Sequence, residues 1–257
     1  MKGEKTVKKI IAFVMILALL CAMLTSCSEA ESLLRKADNF LEDEPYTVTF
    51  EVGFESDDPK LNKAFSDFDM EIPATVDGKN ISMDMSMRYN GYNANAKIIV
   101  YDMVMYCDIT AGRQNAKVKA DISDSQYDTF MIDSGTQMPL EIDDFADITV
   151  SRMNGKEIIT CKNVSQRGLR ILNEKIEDNV KSLDGEAKVS DVKFVITLND
   201  GKYEYMSFVC LYKINVDDEI YDIKIKMSAD FSYEDAKKIT KPSDAYKYEE
   251  MNFDDLM

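Results

Sequence analysis

Histidine is absent from this 257-residue sequence. That absence removes the commonest general base, the usual catalytic triads and most zinc sites. Tryptophan is absent too, which weakens a case for stacking on carbohydrate, although 13 Tyr keep it open. The sequence has no Gly-rich phosphate loop, no Gly-x-Ser-x-Gly elbow and no Cys-x-x-Cys pair. An Asp-x-Asp-x-Asp-Gly calcium loop is missing as well. Positive charge is in short supply, with 31 Lys and Arg against 47 Asp and Glu and a net charge of −16. A surface this acidic repels nucleic acid and keeps the chain soluble. The expectation is a protein that is not an enzyme, needs no cofactor or metal and binds no nucleic acid.

What is present begins with an address. Lys2, Lys5, Lys8 and Lys9 precede an unbroken apolar run from Ile10 to Leu24. A basic start and an apolar stretch of this length make a signal peptide. The run is short for a permanent spanning helix, which takes about 20 apolar residues. It ends in Leu24-Thr25-Ser26-Cys27. This tetrad resembles the lipobox of bacterial lipoprotein precursors. The resemblance implies cleavage before Cys27 and diacylation of its thiol, which then holds the chain at the extracytoplasmic face of a membrane. Two acyl chains make such attachment durable. The alternative is an uncleaved signal anchor with Cys27 as a bystander. Residues 1–26 are thus read as the signal and residues 27–257 as a single lipid-anchored domain, long enough to bury a sizeable core.

Five cysteines are present. Cys21 leaves with the signal and Cys27 carries lipid, so Cys107, Cys161 and Cys210 remain. An odd number allows at most one disulfide. Each of the three lies in an apolar, strand-like run, which favours buried, inert thiols over a disulfide or a reactive site.

Residues 28–42 read as a helix, with Ala30, Leu33, Leu34, Ala37 and Leu41 at helical spacing and Pro45 closing it. Little linker separates the lipid from this helix, so the domain should lie close to the bilayer. The pattern then changes to period two. Ile81, Met83, Met85, Met87 and Tyr89 alternate with Ser82, Asp84, Ser86 and Arg88. Strands are expected near 46–55, 79–89, 93–101, 103–110, 115–121, 126–133, 156–162, 190–198, 203–215 and 218–231. Asp77-Gly78, Asn90-Gly91, Asn154-Gly155 and Asp200-Gly201 lie between these runs and suit tight hairpins, which implies antiparallel pairing. A helix starting at Ser165, with Leu169, Leu172, Ile176 and Val180 on one face, interrupts the strands and ends at Asp184-Gly185. Residues 56–70 are ambiguous and suit a short helix in a long connection, and 133–147 reads as a loop.

Element order carries a second resemblance. The Tyr92–Asp121 hairpin, centred on Tyr101-Asp102-Met103-Val104-Met105-Tyr106, and the tail from Phe231 through Lys241-Pro242-Ser243-Asp244 resemble the LolA/LolB–LppX group of envelope lipoproteins. That resemblance implies a half-open barrel: an α+β fold with one large curved antiparallel sheet packed against two or three helices. It also implies a hollow for lipid or acyl chains, and it transfers no individual residue.

Methionine is plentiful, with 16 in the chain. Met83, Met85, Met87, Met103, Met105 and Met227 fall at alternating or near-alternating strand positions. Flexible thioethers suit a surface that repacks around variable apolar guests, and they equally fill gaps in an ordinary core. The functional expectation is a membrane-anchored lipoprotein that binds a lipid-like ligand on the concave face of its sheet, with those six methionines as candidate contacts. The rival is a structural lipoprotein that binds another envelope protein through a sheet edge or its acidic surface. Adjacent acids such as Asp57-Asp58 and Asp143-Asp144 do not define a catalytic pair.

Overall fold

A computed structural model of the chain describes residues 29–41, 44–66, 69–89, 92–133, 140–180, 186–216, 219–234 and 236–253. The proposed signal, Cys27, the Asn90-Gly91 turn and the Asp184-Gly185 helix end lie outside these residues. Twelve described strands form one sheet. The first meander runs β1 (Tyr46–Ser56), β2 (Asp69–Asp77), β3 (Asn80–Tyr89), β4 (Tyr92–Tyr101), β5 (Val104–Ala111) and β6 (Gln114–Asp121). The second runs β7 (Phe145–Met153), β8 (Lys156–Val164), β9 (Glu186–Asn199), β10 (Lys202–Val216) and β11 (Glu219–Ser232). Antiparallel pairing of β1 with β11, from Thr47↔Ser232 to Ser56↔Ile223, joins the two meanders at the centre. The spatial order is β12-β6-β5-β4-β3-β2-β1-β11-β10-β9-β8-β7, with β12 (Glu249–Glu250) a short parallel addition to β6. This is the expected α+β architecture, an open, curved antiparallel sheet packed against helices.

One face of the sheet carries the core. Ile81, Val100, Met105 and Ala120 are directly opposite one another across β3, β4, β5 and β6, and none is more than 3% exposed. Burial of such a row is the main stabilising term of this half. The opposite face alternates with polar side chains such as Asp84, Lys97 and Asp108. Two core clusters share the apolar face. The first meander packs against Tyr127 and Phe130 of α3 (Asp124–Asp133) and Phe253 of the tail. The second packs against Ala30 and Ala37 of α1 (29–41) and Leu172 of α4 (Gln166–Val180). Met206 and Phe231 touch both clusters. Phe231 lies 5.5 Å from the Tyr203 ring and 6.0 Å from the Tyr46 ring, centroid to centroid. Register shifts in the β9–β10 pair, at Tyr203/Tyr205 and Leu211/Tyr212, add extra residues that bend and twist the sheet.

Three local expectations change, and one open reading is decided. Residues 126–133, expected as a strand, form α3. Ser123 explains it: its Oγ accepts from the Gln126 amide at 3.3 Å while Gln126 Oε1 accepts from the Ser123 amide at 2.9 Å. That reciprocal capping box starts a helix, and Tyr127 and Phe130 are then buried at a spacing of three. Residues 56–70 resolve into α2 (Pro59–Ser66) and the start of β2. Asp58 Oδ1 accepts from the Lys60 and Leu61 amides at 2.7 and 3.0 Å, and Pro59 fits the first helical position. Pro73 hid β2 from the alternation. The β2–β3 register skips Ile72 and Pro73, where proline has no N–H to offer. Met103, expected to open a strand, is in the β4–β5 turn, where Asp102 (φ 51°) and Met103 (φ 59°) are both left-handed.

The tail from Ile239 to Phe253 protects one sheet edge. Lys117 bonds Asp244 at 2.8 Å, Tyr248 meets Tyr106 edge-on at 5.4 Å, and the Met251 amide donates to the Lys119 carbonyl. Covering β6 in this way blunts an edge that would otherwise invite foreign strands.

Two substitutions test the packing. Ile81→Ala should cost about 2–5 kcal/mol in urea unfolding, as a buried side chain removed from a close-packed row. Gly168, in the first turn of α4, packs so tightly that an added Cβ would lie 2.4 Å from Val164 Cγ1 and 3.0 Å from Asp144 Cβ. Gly168→Ala should therefore destabilise by about 1–3 kcal/mol despite its higher helix propensity. An unchanged unfolding midpoint for either variant would contradict this packing.

Candidate functional site

The six methionines share a region of the fold without converging. Met83 on β3 and Met105 on β5 are 0% and 1% exposed, enclosed in the core of the first meander. Met85, next along the same face of β3, is half-buried. Met87 pairs in backbone register with Met70 and Ala94. Met103 packs against the core from its turn. Met227 is on β11, three strands from β3 in the sheet order, so about 14 Å away at ordinary strand spacing.

A narrower group does come together. Phe208 on β10 pairs with Met227 on β11, Met227 with Val52 on β1, and Val52 with Met70 on β2. All four belong to the core-bearing face, and all four are half-buried. They form an apolar strip about 14 Å long across four strands. The core bounds it on one side. Beyond it lies Phe54, which meets Phe65 of α2 at 5.5 Å. The alternation of β1 and β11 exposed Val52 and Met227 to sequence reading; Phe208 and Met70 became legible as neighbours only through the register.

Cavities follow a different distribution. One pocket, about 850 Å³, lies between β5, β6 and the tail, with Tyr106, Lys119, Asp121, Lys241 and Glu250 in its wall. Another, about 490 Å³, opens near the sheet centre on the polar face, where Glu51, Gly53, Ser207, Lys226 and Ser228 meet the rims of Val52, Met70 and Met227. The first is mainly polar and the second is mixed, and neither is lined by Met83 or Met105.

The thiols are free and buried. Cys107 is on β5, Cys210 on β10 and Cys161 on β8. At least two strand spacings, about 10 Å, separate any two of them. A disulfide needs Cα atoms within about 7 Å, so none forms among these three. Burial pushes the Cys107 thiol up to about 11, and it pushes Cys210 up to about 11 as well.

The adjacent acids have structural work. Asp58 caps α2. Asp144, 1% exposed, accepts the Glu141 amide on Oδ2 at 3.0 Å and so closes the 3-10 turn Ile142–Asp144 before β7. Its Oδ1 has no hydrogen bond and faces Arg167 Nε at 3.5 Å. Among the described residues, no group of three or more acids and thiols could hold a metal ion, and no helix is long and apolar enough to cross a membrane.

No protein-family model matches the chain, and no curated protein matches it. Among solved structures, the ywiB protein from Bacillus subtilis aligns at 8% identity with a TM-score of 0.20, covering 74% of this chain and 92% of that one. The GphF dehydratase, in a variant made for improved crystallization, aligns at 7% identity with a TM-score of 0.13, covering 79% of this chain and 83% of that one. Similarities this low carry no argument about fold or function.

The buried thiols give a direct expectation. In the folded domain at pH 8, Cys107 and Cys210 stay protonated and enclosed, so a thiol-specific dye should label neither; labelling should begin only in denaturant or as the pH nears 11. Rapid labelling of the folded domain at pH 8 would show that these thiols are reached by solvent.

Proposed function

We propose that the chain is a bacterial lipoprotein, cleaved before Cys27 and held at the extracytoplasmic face of a membrane by its diacylglyceryl group. We further propose that the core-bearing face of its sheet binds an apolar or amphiphilic ligand of lipid type. The half-buried strip of Phe208, Met227, Val52 and Met70 carries this reading. Core side chains such as Ile81, Met83 and Met105 on the same face are enclosed, whereas these four, like neighbouring Met85 and Phe50, keep apolar area open to a guest. An acyl chain laid along them gains roughly 25 cal/mol for each Å² of apolar surface removed from water. Thioethers at Met70, Met227 and neighbouring Met85 adapt to chains of different shape. The acidic polar face takes no part in that contact.

A second reading rests on a separate observation. The sheet order ends at β7, a nine-residue strand with no strand on its outer side among the described residues. Such an edge can accept a strand from another envelope protein.

Fluorescent fatty-acid titration of residues 28–257 separates the two. Ligand binding on the strip predicts saturable binding that Met227→Glu weakens by about tenfold or more, since a carboxylate would meet the apolar chain. Thr149→Glu, on edge strand β7, should leave it unchanged. Equal affinity for both variants, with matched urea midpoints, would refute the strip as the site.

A further inference from the structure

The geometry points to a membrane contact beside the lipid anchor: we propose that the β7–β8 hairpin tip, with Met153 at its apex, rests in the bilayer interface. This inference depends on the reading of Cys27 as the lipidated residue. Glu29, the first described residue of α1, forms an ion pair with Arg152 at 2.5 Å. Cys27 is two residues earlier in the sequence, and two residues of chain reach at most about 7 Å. On that reading the lipid joins the chain two residues before the Glu29–Arg152 pair, and Met153 follows Arg152 at the hairpin tip. Met153 is 60% exposed, one of the few large apolar side chains so placed among the described residues. The turn behind it, Asn154-Gly155, is left-handed at both residues and tight, so the apex is held by the β7–β8 ladder rather than by a loose loop.

The rest of the molecule then acquires a direction. The turns at Gly78–Lys79, Asp102–Met103, Asn154–Gly155 and Asp200–Gly201 share one end of the sheet, because every neighbouring pair among β1–β11 is antiparallel. Helix α1 runs along this end. It starts at Arg152, passes Gly201 with Lys36 and reaches Tyr203, whose hydroxyl donates to Asp38 at 2.7 Å. α2 and exposed Ile220 belong to the opposite end, roughly 35 Å away along strands of eleven residues. The occupant of the Met153 end is thus the phospholipid surface into which Cys27 inserts. Val52 is six residues into β1 from that end, so the apolar strip lies about 20 Å above the bilayer and opens to arrivals from the aqueous side.

The absence of tryptophan makes the test clean, since any introduced indole is the sole reporter. Full-length precursor carrying Met153→Trp or Ile220→Trp is expressed in bacteria, purified in detergent and reconstituted into phosphatidylcholine–phosphatidylglycerol vesicles with brominated acyl chains. The expected result is that Met153→Trp loses most of its emission to bromine quenching and shifts to the blue, while Ile220→Trp does neither. Hydrogen exchange on the unaltered protein gives a second reading, with slower exchange at residues 152–156 on vesicles than in detergent. Protein that floats with the vesicles but shows an unquenched Met153→Trp and unchanged exchange overturns the inference and leaves the anchor intact. Quenching at Ile220→Trp instead overturns the orientation. Protein that neither floats nor carries diacylglyceryl mass removes the anchor, and this contact falls with it.

Discussion

The fold depends on the pairing of β1 with β11. Each meander alone is a run of local hairpins with one apolar face and two edges. Joining them places ten residues of β1 against ten of β11, from Thr47↔Ser232 to Ser56↔Ile223, far apart in the sequence. Closing that distance costs chain entropy that local hairpins do not. The compensation is concentrated at Phe231, where Tyr46, Tyr203 and both core clusters meet. Burial raises the Tyr46 and Tyr203 hydroxyls well above the ordinary range, with Asp38 adding to the shift at Tyr203. The seam also places Val52 beside Met227, so the candidate strip exists only because the two meanders join.

Much of this was legible in residue order, for identifiable reasons. β3 was clear because Ile81 to Tyr89 alternate without interruption. Asn154-Gly155 and Asp200-Gly201 announced their turns, because these dipeptides accept left-handed backbone cheaply. The Asp102-Met103 turn was hidden, because methionine rarely adopts that conformation and here does so to reach the core. α3 was hidden by an apolar run that also suits a strand; the Ser123–Gln126 capping box was the signal that could have revealed it. β2 was masked by Pro73. The β1–β11 seam had no local signal at all, since alternation assigns a side chain to a face and says nothing about which strand lies alongside.

The site was legible to the same degree. Counting methionines led to the core-bearing face, because Met83, Met105 and Met227 all lie on it. It could not separate a thioether that fills the core from one that is left open. Met83 and Met105 are enclosed by the column Ile81, Val100 and Ala120, while Met227 is flanked by half-buried Phe208 and Val52. Tertiary cover decides between those cases, and here α3 and the tail cover one half of the strands more fully than α2 covers the other.

The acidic exterior and the half-buried apolar strip, with the proposed lipid anchor at one end, fit the proposal of a tethered binding protein. The most direct test of its central claim is native mass spectrometry of residues 28–257, purified without the lipid anchor, followed by solvent extraction. The account predicts a stoichiometric lipid-like adduct, either co-purified or gained when phospholipids or fatty acids are offered. A bare protein that gains no mass from either would contradict it.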